Sequence, residues 1–365
     1  MIAKYFLSML ISIINLVLIN IIIFYKRING KKIIVFFHSK GNLKRISDYY
    51  INPLLSTNQK KVFVLILDND LGNIFSYHFI KENLLKFLYG VEIFLNNYLC
   101  DTFPKNSKRI YIHHDIYDTP LSNSKIEKTI KNRLSKYDYI LLPSIKSRKV
   151  FDNLKINYKK KDIKIEYVGY YKLDLLNFSS KKKQNTKNVL IAPTNIFSFP
   201  SMSLIKSLVE IIDNIILNSE FNVIFRPHPS NLNNKKILDI EKKYKNNSRF
   251  TVDKSKNYLN TYVNSKFLIT DLSGTAYTYA FLTNNPVIFF SNYEKKLHLL
   301  GYKNLNFFKD RKKIGFIVND IKSILRIISH TKTKKSLKVS RDDLKKFFFI
   351  GLAKKRFKEF VEKII

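Results

Sequence analysis

The chain contains no tryptophan, a single cysteine and few acidic side chains. Asp and Glu number 28 against 65 Lys and Arg among 365 residues, so the formal net charge is +37. Because Cys100 is the lone cysteine, no internal disulfide can form, and a reducing compartment fits the chain. The positive charge favours acidic partners such as nucleic acid, anionic lipid or phosphate-bearing substrates. A codon bias toward Lys, Asn and Ile is the alternative explanation, because the lysines are spread along the chain.

Missing signatures exclude several classes of protein. The chain has no arginine-rich block, zinc-finger spacing or RNA-binding signature, so we expect no nucleic-acid partner. It has no repeat of solenoid period. Its 45% apolar content supports proper hydrophobic cores, and its length favours two domains.

The first apolar run is long enough to cross a membrane. Residues 5–25 carry no charge over 21 positions, which at about 1.5 Å per residue is roughly the 30 Å of a bilayer core. A signal peptide is the first alternative, but the run is long and no small-x-small cleavage site follows it. An interfacial helix is the second, but the run lacks a polar face. We therefore predict a membrane anchor at residues 1–28.

Charge flanking this run predicts its orientation. Lys26, Arg27, Lys31 and Lys32 follow the run, whereas only Lys4 precedes it. The positive-inside rule then places the bulk of the chain in the cytoplasm. The expected location is the cell membrane, single-pass or peripheral, with a cytoplasmic catalytic domain and an anionic membrane as partner.

Short apolar runs alternate with polar, helix-like stretches along the rest of the chain. The runs predicted as strands are 32–39, 60–70, 109–114, 137–144, 163–169, 189–194, 221–229, 249–253, 267–271 and 286–290. Such alternation predicts an α/β protein with buried parallel sheets. A lysine-rich break at 179–188 separates two series, which predicts two Rossmann-like domains at 30–180 and 185–335. A basic helix at 336–365 completes the prediction.

The residues that follow each strand are the candidates for chemistry, because ligands bind beyond the carboxyl ends of parallel strands. In "FRPHPS" (225–230), prolines on both sides fix His228 near Arg226, a pair suited to phosphate oxygens. An ordinary proline-containing turn is the alternative. Thr194 follows another strand of the same series.

The stretch "DLSGT" (271–275) predicts an anion site at a helix N-terminus. Ser273 and Thr275 supply hydroxyls, and Gly274 lets a ligand approach the backbone. The alternative is that Asp271 or Ser273 merely caps the helix.

The stretch "YIHHDIYDTP" (111–120) ends a strand in two histidines and two acids. His113 or His114, beside Asp115 or Asp118, has the composition of a general base. Zinc binding is the second interpretation, but no His-x-His or His-x-x-x-His pair supports it. A merely structural turn is the third. We therefore expect no metal site and no cofactor, with a divalent metal optional for the reaction.

Four stretches in order resemble the CDP-glycerol glycerophosphotransferase family of teichoic acid and polyol-phosphate capsule synthesis. They are "EYVGYYKLDLL" (166–176), "VLIAPT" (189–194), "FRPHPS" and "ITDLSGTAYTYAFLTNNPVIFF" (269–290). The family's Trp-His-Gly motif is replaced here by His113-His114-Asp115, with His114 where the family histidine falls. A Ser-Gly-Thr turn likewise replaces a double serine.

This resemblance implies a GT-B-like architecture with two Rossmann-type domains facing a cleft. It implies transfer of a polyol phosphate from a CDP-polyol to a hydroxyl of a membrane-linked or capsular polymer. His114, Asp115 and His228 would be catalytic. The residues that would bind substrate are Arg226, Ser273, Gly274, Thr275, Asp271, His113 and Thr194. The partners would be the nucleotide-activated donor and a polyanionic or lipid-linked glycan acceptor.

Three other functions remain compatible with the sequence. A GT-B glycosyltransferase using a nucleotide sugar shares the fold and the anion-binding turn. A nucleotide-sugar epimerase has a similar His-Pro turn, although the N-terminal anchor argues against it. A basic membrane-surface scaffold would need no histidine chemistry at all.

Overall fold

The structure is a computed structural model that describes residues 2–38, 61–68, 79–120, 127–154, 162–175, 187–255, 258–330 and 335–365. Two parallel sheets of six strands each, with helices between the strands, form the framework. This is the α/β architecture that the alternating apolar runs predict.

The first sheet is built from the N-terminal half. Its strands are β1 Lys32–His38, β2 Val62–Asp68, β3 Ile93–Asn96, β4 Lys108–Ile112, β5 Tyr139–Leu142 and β6 Lys164–Tyr167. They lie in the order β2-β1-β3-β4-β5-β6, and each neighbouring pair is parallel. All carboxyl ends therefore meet at one edge, where the loop after β4 carries the two adjacent histidines.

The second sheet has the strand order of a Rossmann fold. Its strands are β7 Asn188–Ile191, β8 Asn222–Phe225, β9 Phe250–Val252, β10 Phe267–Thr270, β11 Val287–Phe290 and β12 Gly315–Val318. The order is β12-β11-β10-β7-β8-β9, again all parallel. Successive strands are added outward in one direction from β7 and in the other direction from β10, and such sheets bind ligands at this switch point.

Helices cover the sheets and form the connections. The α-helices are α1 Ile2–Ile28, α2 Glu127–Leu134, α3 Lys149–Asn153, α4 Leu208–Asn218, α5 Lys235–Tyr244, α6 Leu259–Val263, α7 Thr275–Thr283, α8 Glu294–Leu299, α9 Asn306–Ile314, α10 Ile321–His330, α11 Lys335–Lys345 and α12 Ala353–Ile364. Short 3₁₀ turns lie at Glu82–Phe87, Ile145–Ser147, Tyr171–Leu175, Leu204–Lys206, Pro229–Asn231 and Tyr302–Asn304.

The C-terminal segment is two helices rather than the one predicted over 336–365. Phe349 at φ 47° and Gly351 at φ 75° lie between them, and left-handed residues do not continue an α-helix. α12 packs Phe357, Phe360 and Val361 against the first sheet, which stabilises the fold by about 1.5–3 kcal/mol for each large apolar side chain. The end of the chain thus returns to the N-terminal half.

α1 lies along the N-terminal half and contacts it through a polar stripe. Asn15 Nδ2 donates to the Phe79 carbonyl at 2.9 Å, and the Lys81 N–H donates to Ser12 Oγ at 3.1 Å. Asn20 exchanges two hydrogen bonds of 3.0 Å with the backbone of residues 87 and 89. The prediction that this run has no polar face is wrong, because spacings of three and five residues keep Ser12, Asn15 and Asn20 on one side of the helix.

The opposite face of α1 is apolar and exposed. Its exposed side chains are Phe6, Leu7, Leu10, Ile13, Ile14, Val17, Leu18, Ile21, Ile22, Phe24, Tyr25 and Ile28. By length and composition, Phe6–Ile28 is one helix that could cross a membrane. A contiguous apolar face of this size marks an interaction surface.

The two halves are joined by a buried seam. Tyr117 stacks on Tyr277 with ring centroids 3.8 Å apart, and its hydroxyl donates to Asp310 at 2.7 Å. Asp118 accepts the backbone N–H groups of Asn306 and Phe307 at 2.8 and 2.6 Å. These contacts bring the loop after β4 against the C-terminal half.

Candidate active site

The predicted site residues come from both halves of the molecule. His113, His114 and Asp115 follow β4 in the first sheet, whereas residues 226–228 follow β8 and residues 271–275 follow β10 in the second. Each group lies at the carboxyl end of a parallel strand, as predicted. The seam through Tyr117 and Asp118 places the first group opposite the other two.

Asp115 is the point at which these groups meet. A Cβ placed on Gly274 would lie 3.1 Å from Asp115 Oδ1, so the turn after β10 touches this carboxylate. His114 Nε2 lies 3.8 Å from the same oxygen. The pKa of His228 responds to the charges of both Asp115 and His114, so His228 is their neighbour. The structure thus brings together three of the sequence motifs.

The surroundings of Asp115 keep it ionised. Burial opposes its ionisation, but the neighbouring His114 and His113 rings, a hydrogen bond from Thr119 and the Lys172 cation together hold its pKa below the usual carboxyl value. Asp115 is therefore an anion at neutral pH. Held by Thr119, it is placed to orient His114 and to stabilise the imidazolium that would form there.

The two adjacent histidines have different environments. His113 is buried, packs edge-on against Phe151 at 5.1 Å, and has Nε2 3.4 Å from the Tyr117 carbonyl. Burial and the neighbouring His114 lower the pKa of His113 to about 4, so this ring is neutral at pH 7. His114 is 59% exposed. His114 is therefore the ring that faces solvent, and His113 supports the loop.

His228 is held in one orientation by its own turn. Its Nδ1 accepts the Ser230 N–H at 3.2 Å, which assigns the remaining proton of the neutral ring to Nε2. Burial lowers the pKa of His228, and Asp115 partly offsets this. The ring therefore presents a neutral N–H donor, and the flanking prolines fix the backbone that carries it.

Arg226 is engaged within the C-terminal half. Its guanidinium pairs with Asp253 and donates to the Ser255 carbonyl at 2.8 Å. The turn after β9 therefore fixes this cation. The predicted contact of Arg226 with phosphate oxygens stays a prediction.

Tyr262 links Arg226 to the turn after β10. Burial raises the pKa of Tyr262, whereas a hydrogen bond with Thr275 and the positive charges of Lys172 and Arg226 lower it. The Tyr262 hydroxyl therefore lies among two cations and the start of α7. This side of the cleft has the positive potential that a diphosphate requires.

The turn after β10 has the geometry of a helix N-terminus, as predicted. Ser273 Oγ accepts the Thr275 N–H at 3.3 Å, so one hydroxyl caps α7 locally. Asp271 is buried and accepts the N–H groups of Thr194, Leu204 and Leu272 at 2.8, 2.9 and 2.7 Å. Asp271 and Thr194 thereby tie the loops after β7 and β10 together across the switch point. A direct contact of either with substrate stays a prediction.

The sequence suggested Asp118 as an alternative acidic partner of the base, but the structure places Asp118 in the seam between the halves. Both of its oxygens accept backbone N–H groups of α9, as described for the seam. Asp115 is thus the acid beside His114.

Sequence reasoning missed Lys172, Tyr262 and Thr119. Lys172 lies in the quoted stretch 166–176, so a signal was present, but nothing in that stretch distinguishes this lysine from the many others. Tyr262 carries no local signal, because its role depends on the packing of distant segments. Thr119 lies in the quoted stretch 111–120, four residues after Asp115, but nothing in that stretch marks its hydroxyl as a partner of the carboxylate. Among the described residues, no group of three His, Cys, Asp or Glu side chains could hold a metal ion. The predicted independence from a resident metal stays a prediction.

Several solved structures have a similar fold. The wall teichoic acid polymerase TagF superposes with a TM-score of 0.60 at 17% identity, covering 91% of this chain and 89% of that chain. MnaA from S. aureus in complex with UDP gives 0.58 at 12% identity, covering 92% and 98%. The UDP-GlcNAc 2-epimerase of Methanocaldococcus jannaschii gives 0.51 at 13% identity, covering 86% and 98%. A search of curated protein sequences finds no match.

Two Rossmann-type sheets facing a cleft, with the motifs predicted to bind phosphate at their carboxyl edges, are the architecture of a GT-B-like transferase. The model of the CDP-glycerol:poly(glycerophosphate) glycerophosphotransferase family matches residues 93–348, and the chain belongs to this family. It is therefore an enzyme of the type that transfers polyol phosphate from CDP-glycerol to a polymer acceptor. The glycosyltransferase, epimerase and scaffold alternatives are not favoured by this match.

Proposed function

We propose that the diphosphate of CDP-glycerol binds between the turn at residues 273–275 and His228, and that His114 activates the acceptor hydroxyl. The observation that carries this proposal is the contact between Asp115 and Gly274. Through it, the proposed base from one half lies beside the proposed anion-binding turn of the other. General base catalysis requires the base and the reacting phosphorus to share one small volume.

The proposed reaction moves one proton and exchanges one phosphorus–oxygen bond. His114 takes the proton of the acceptor hydroxyl, and Asp115 stabilises the resulting imidazolium. The acceptor oxygen attacks the phosphorus that bears the glycerol. The bond from that phosphorus to the bridging oxygen breaks, and CMP leaves with the bridging oxygen. His228 Nε2–H, the turn at residues 273–275 and the Lys172 cation offset the charge that develops on the leaving phosphate.

The test compares His228→Ala with the wild-type protein. We expect CDP-dependent thermal stabilisation to be lost and CMP release from CDP-glycerol to fall by roughly 10² to 10³-fold, as for loss of a transition-state donor. His330→Ala is the matched control, because His330 is exposed at the end of α10. If His228→Ala keeps both properties, the site is placed wrongly.

We further propose that α1 lies in the plane of the membrane surface rather than across it. Its polar stripe is occupied by backbone groups of residues 79–89, so a spanning helix would draw this part of the folded domain into the bilayer. Its outward apolar face is suited to the headgroup–acyl boundary. Lys26 and Arg27, at the end of the helix, suit anionic headgroups. The catalytic cleft would then face the cytoplasm beside a membrane-linked acceptor.

A further inference from the structure

A second cavity lies at the same edge of the C-terminal sheet as the anion-binding turn. Its volume is about 750 Å³, within the range of small-molecule sites. It is lined from the ends of β11 and β12, from the start of α8, and by Ser201 in the loop after β7. Its lining residues lie outside the sequence motifs of the candidate site.

This cavity adjoins the proposed donor site. Tyr293, which lines it, is close enough to Asp271 for the carboxylate to raise the pKa of the Tyr293 hydroxyl, in addition to the larger effect of burial. Asp271 also holds both ends of the loop that carries Ser201, through the N–H groups of Thr194 and Leu204. A ligand in the cavity would therefore lie one strand away from the turn at residues 273–275.

The lining carries uncompensated positive charge. Arg311 pairs with both oxygens of Glu294 at 2.9 Å, so this one carboxylate of the lining is already neutralised. Lys295 and Lys296 are exposed and make no ion pair with the residues that the structure describes. Lys296 Nζ donates to Ser201 Oγ at 2.6 Å, which joins two walls of the cavity. The net lining is cationic.

Neutral hydrogen-bonding groups accompany the two lysines. Asn292 and Asn319 contribute amide side chains. The hydroxyl of Tyr293 is buried beside the hydroxyl of Ser291. Ammonium, amide and hydroxyl groups together suit an anion whose remaining atoms are polyol hydroxyls.

We propose that this cavity binds a phosphodiester unit of the polyanionic acceptor. The inference rests on the proposed function, since a poly(polyol phosphate) acceptor carries one negative charge per unit and must be held beside the donor. Binding of a phosphodiester unit several positions from the growing end would keep the acceptor polymer near the cleft between transfers. Lys295 and Lys296 would then contribute to the affinity for the acceptor and not to the affinity for the nucleotide.

The test removes both charges with K295A/K296A in the full-length protein. The probe is a labelled poly(glycerol phosphate) oligomer, whose equilibrium binding is measured at several salt concentrations. We expect roughly tenfold weaker binding and a shallower salt dependence, because two charge-assisted contacts are lost. The affinity for CDP should be unchanged. K242A/K245A is the matched control, since these exposed lysines lie on and just after α5.

The outcomes separate the cavity from the proposed function. If wild type binds the oligomer more tightly than the variant but transfers nothing to it, the acceptor site stands and the proposed reaction fails. If transfer proceeds with the same acceptor KM and oligomer affinity in both proteins, the cavity proposal is wrong and the reaction stands. A variant that loses CDP affinity would show that the cavity belongs to the donor, which also overturns the proposal.

Discussion

At the scale of single residues, the site depends on how Asp115 and His228 are held. Asp115 is surrounded by His114, Thr119 and Lys172, and it touches the turn of the other half at Gly274. His228 is fixed by its own Nδ1 bond, which leaves a single donor to face the cleft. Positioned groups of this kind contribute more to catalysis than mobile ones, because no reorganisation is required during the reaction.

Gly274→Ala tests the contact between the halves. The backbone at Gly274 is helical, at φ −57°, so alanine introduces no backbone strain. Its Cβ would lie 3.1 Å from Asp115 Oδ1, so Asp115 must shift by a few tenths of an ångström, which disturbs its alignment with His114. We expect kcat to fall roughly tenfold, or about 1.4 kcal/mol, with little change in Tm. In an Asp115→Ala background the same substitution should cost almost nothing; an equal loss in both backgrounds would argue against the contact.

The lowered pKa of His228 predicts a pH dependence of nucleotide binding. The ring is neutral at pH 7 because burial disfavours its charged form. A bound diphosphate favours the imidazolium, in which Nδ1 is protonated and gives up the Ser230 N–H. Binding then takes up a proton, so the affinity for CDP rises as pH falls below the usual histidine value of about 6.5. Calorimetric titrations with CDP between pH 5 and 8 measure this. His228→Asn should flatten the profile to the slope of the phosphate itself, and a variant that retains the wild-type slope would contradict the assignment.

At the scale of elements, the sequence predicts long apolar strands, but it does not predict short strands or polar contacts between distant segments. β1 and β10 are continuous apolar runs, and their buried positions follow directly from that pattern. β3 and β12 were missed because each contains only three large apolar residues, and so short a run cannot be distinguished from a turn of buried helix. The polar stripe of α1 was missed because the partners of Ser12, Asn15 and Asn20 lie more than 60 residues away.

The seam between the halves should titrate through Asp118. Burial raises the pKa of Asp118 to about 7, even though the N–H groups of Asn306 and Phe307 favour its charged form. The folded state therefore binds this proton more tightly than the unfolded chain, whose carboxyl pKa is about 4. The corresponding stability is present below that value and is lost as pH rises through about 7, by up to roughly 4 kcal/mol.

Urea unfolding of wild type and Asp118→Asn at pH 4 and pH 8 tests this titration. Asparagine cannot titrate, so the free energy of unfolding of wild type should fall relative to that of the variant as pH rises. A constant difference at the two pH values, or one that grows with pH in favour of wild type, would contradict the raised pKa.

The orientation of α1 can be measured by fluorescence depth. Leu10→Cys, Val17→Cys and Phe24→Cys each introduce one thiol for labelling at a position that is more than half exposed. The native Cys100 is buried and should not react with the label. A helix in the membrane plane should give the same shallow depth for all three labels against lipid quenchers. A helix that spans the bilayer would place Val17 deepest, with the other two near opposite surfaces. Leu217→Cys, exposed on α4, is the control that should remain outside the membrane.

At the scale of the whole molecule, the pattern of apolar runs predicts the fold, whereas the site forms only when the two halves pack together. Two series of apolar strands predicted two parallel sheets, and strand-end motifs predicted which edge carries the chemistry. Local sequence does not contain the pairing of Asp115 with Gly274, because it requires both sheets and the seam around Tyr117 and Asp310. Lys172 was not predicted as a site residue for the same reason, since its position near Asp115 also depends on how the fold assembles.

The measurement that tests the central claim most directly is a crystal structure of the protein with CDP. The claim is that one diphosphate site is formed by both halves where Asp115 meets Gly274. We predict that the diphosphate contacts the backbone of residues 273–275 and the Nε2 of His228, with its terminal phosphate toward His114. CDP bound with its phosphates away from His228, or against one half alone with His114 remote from them, would contradict the account.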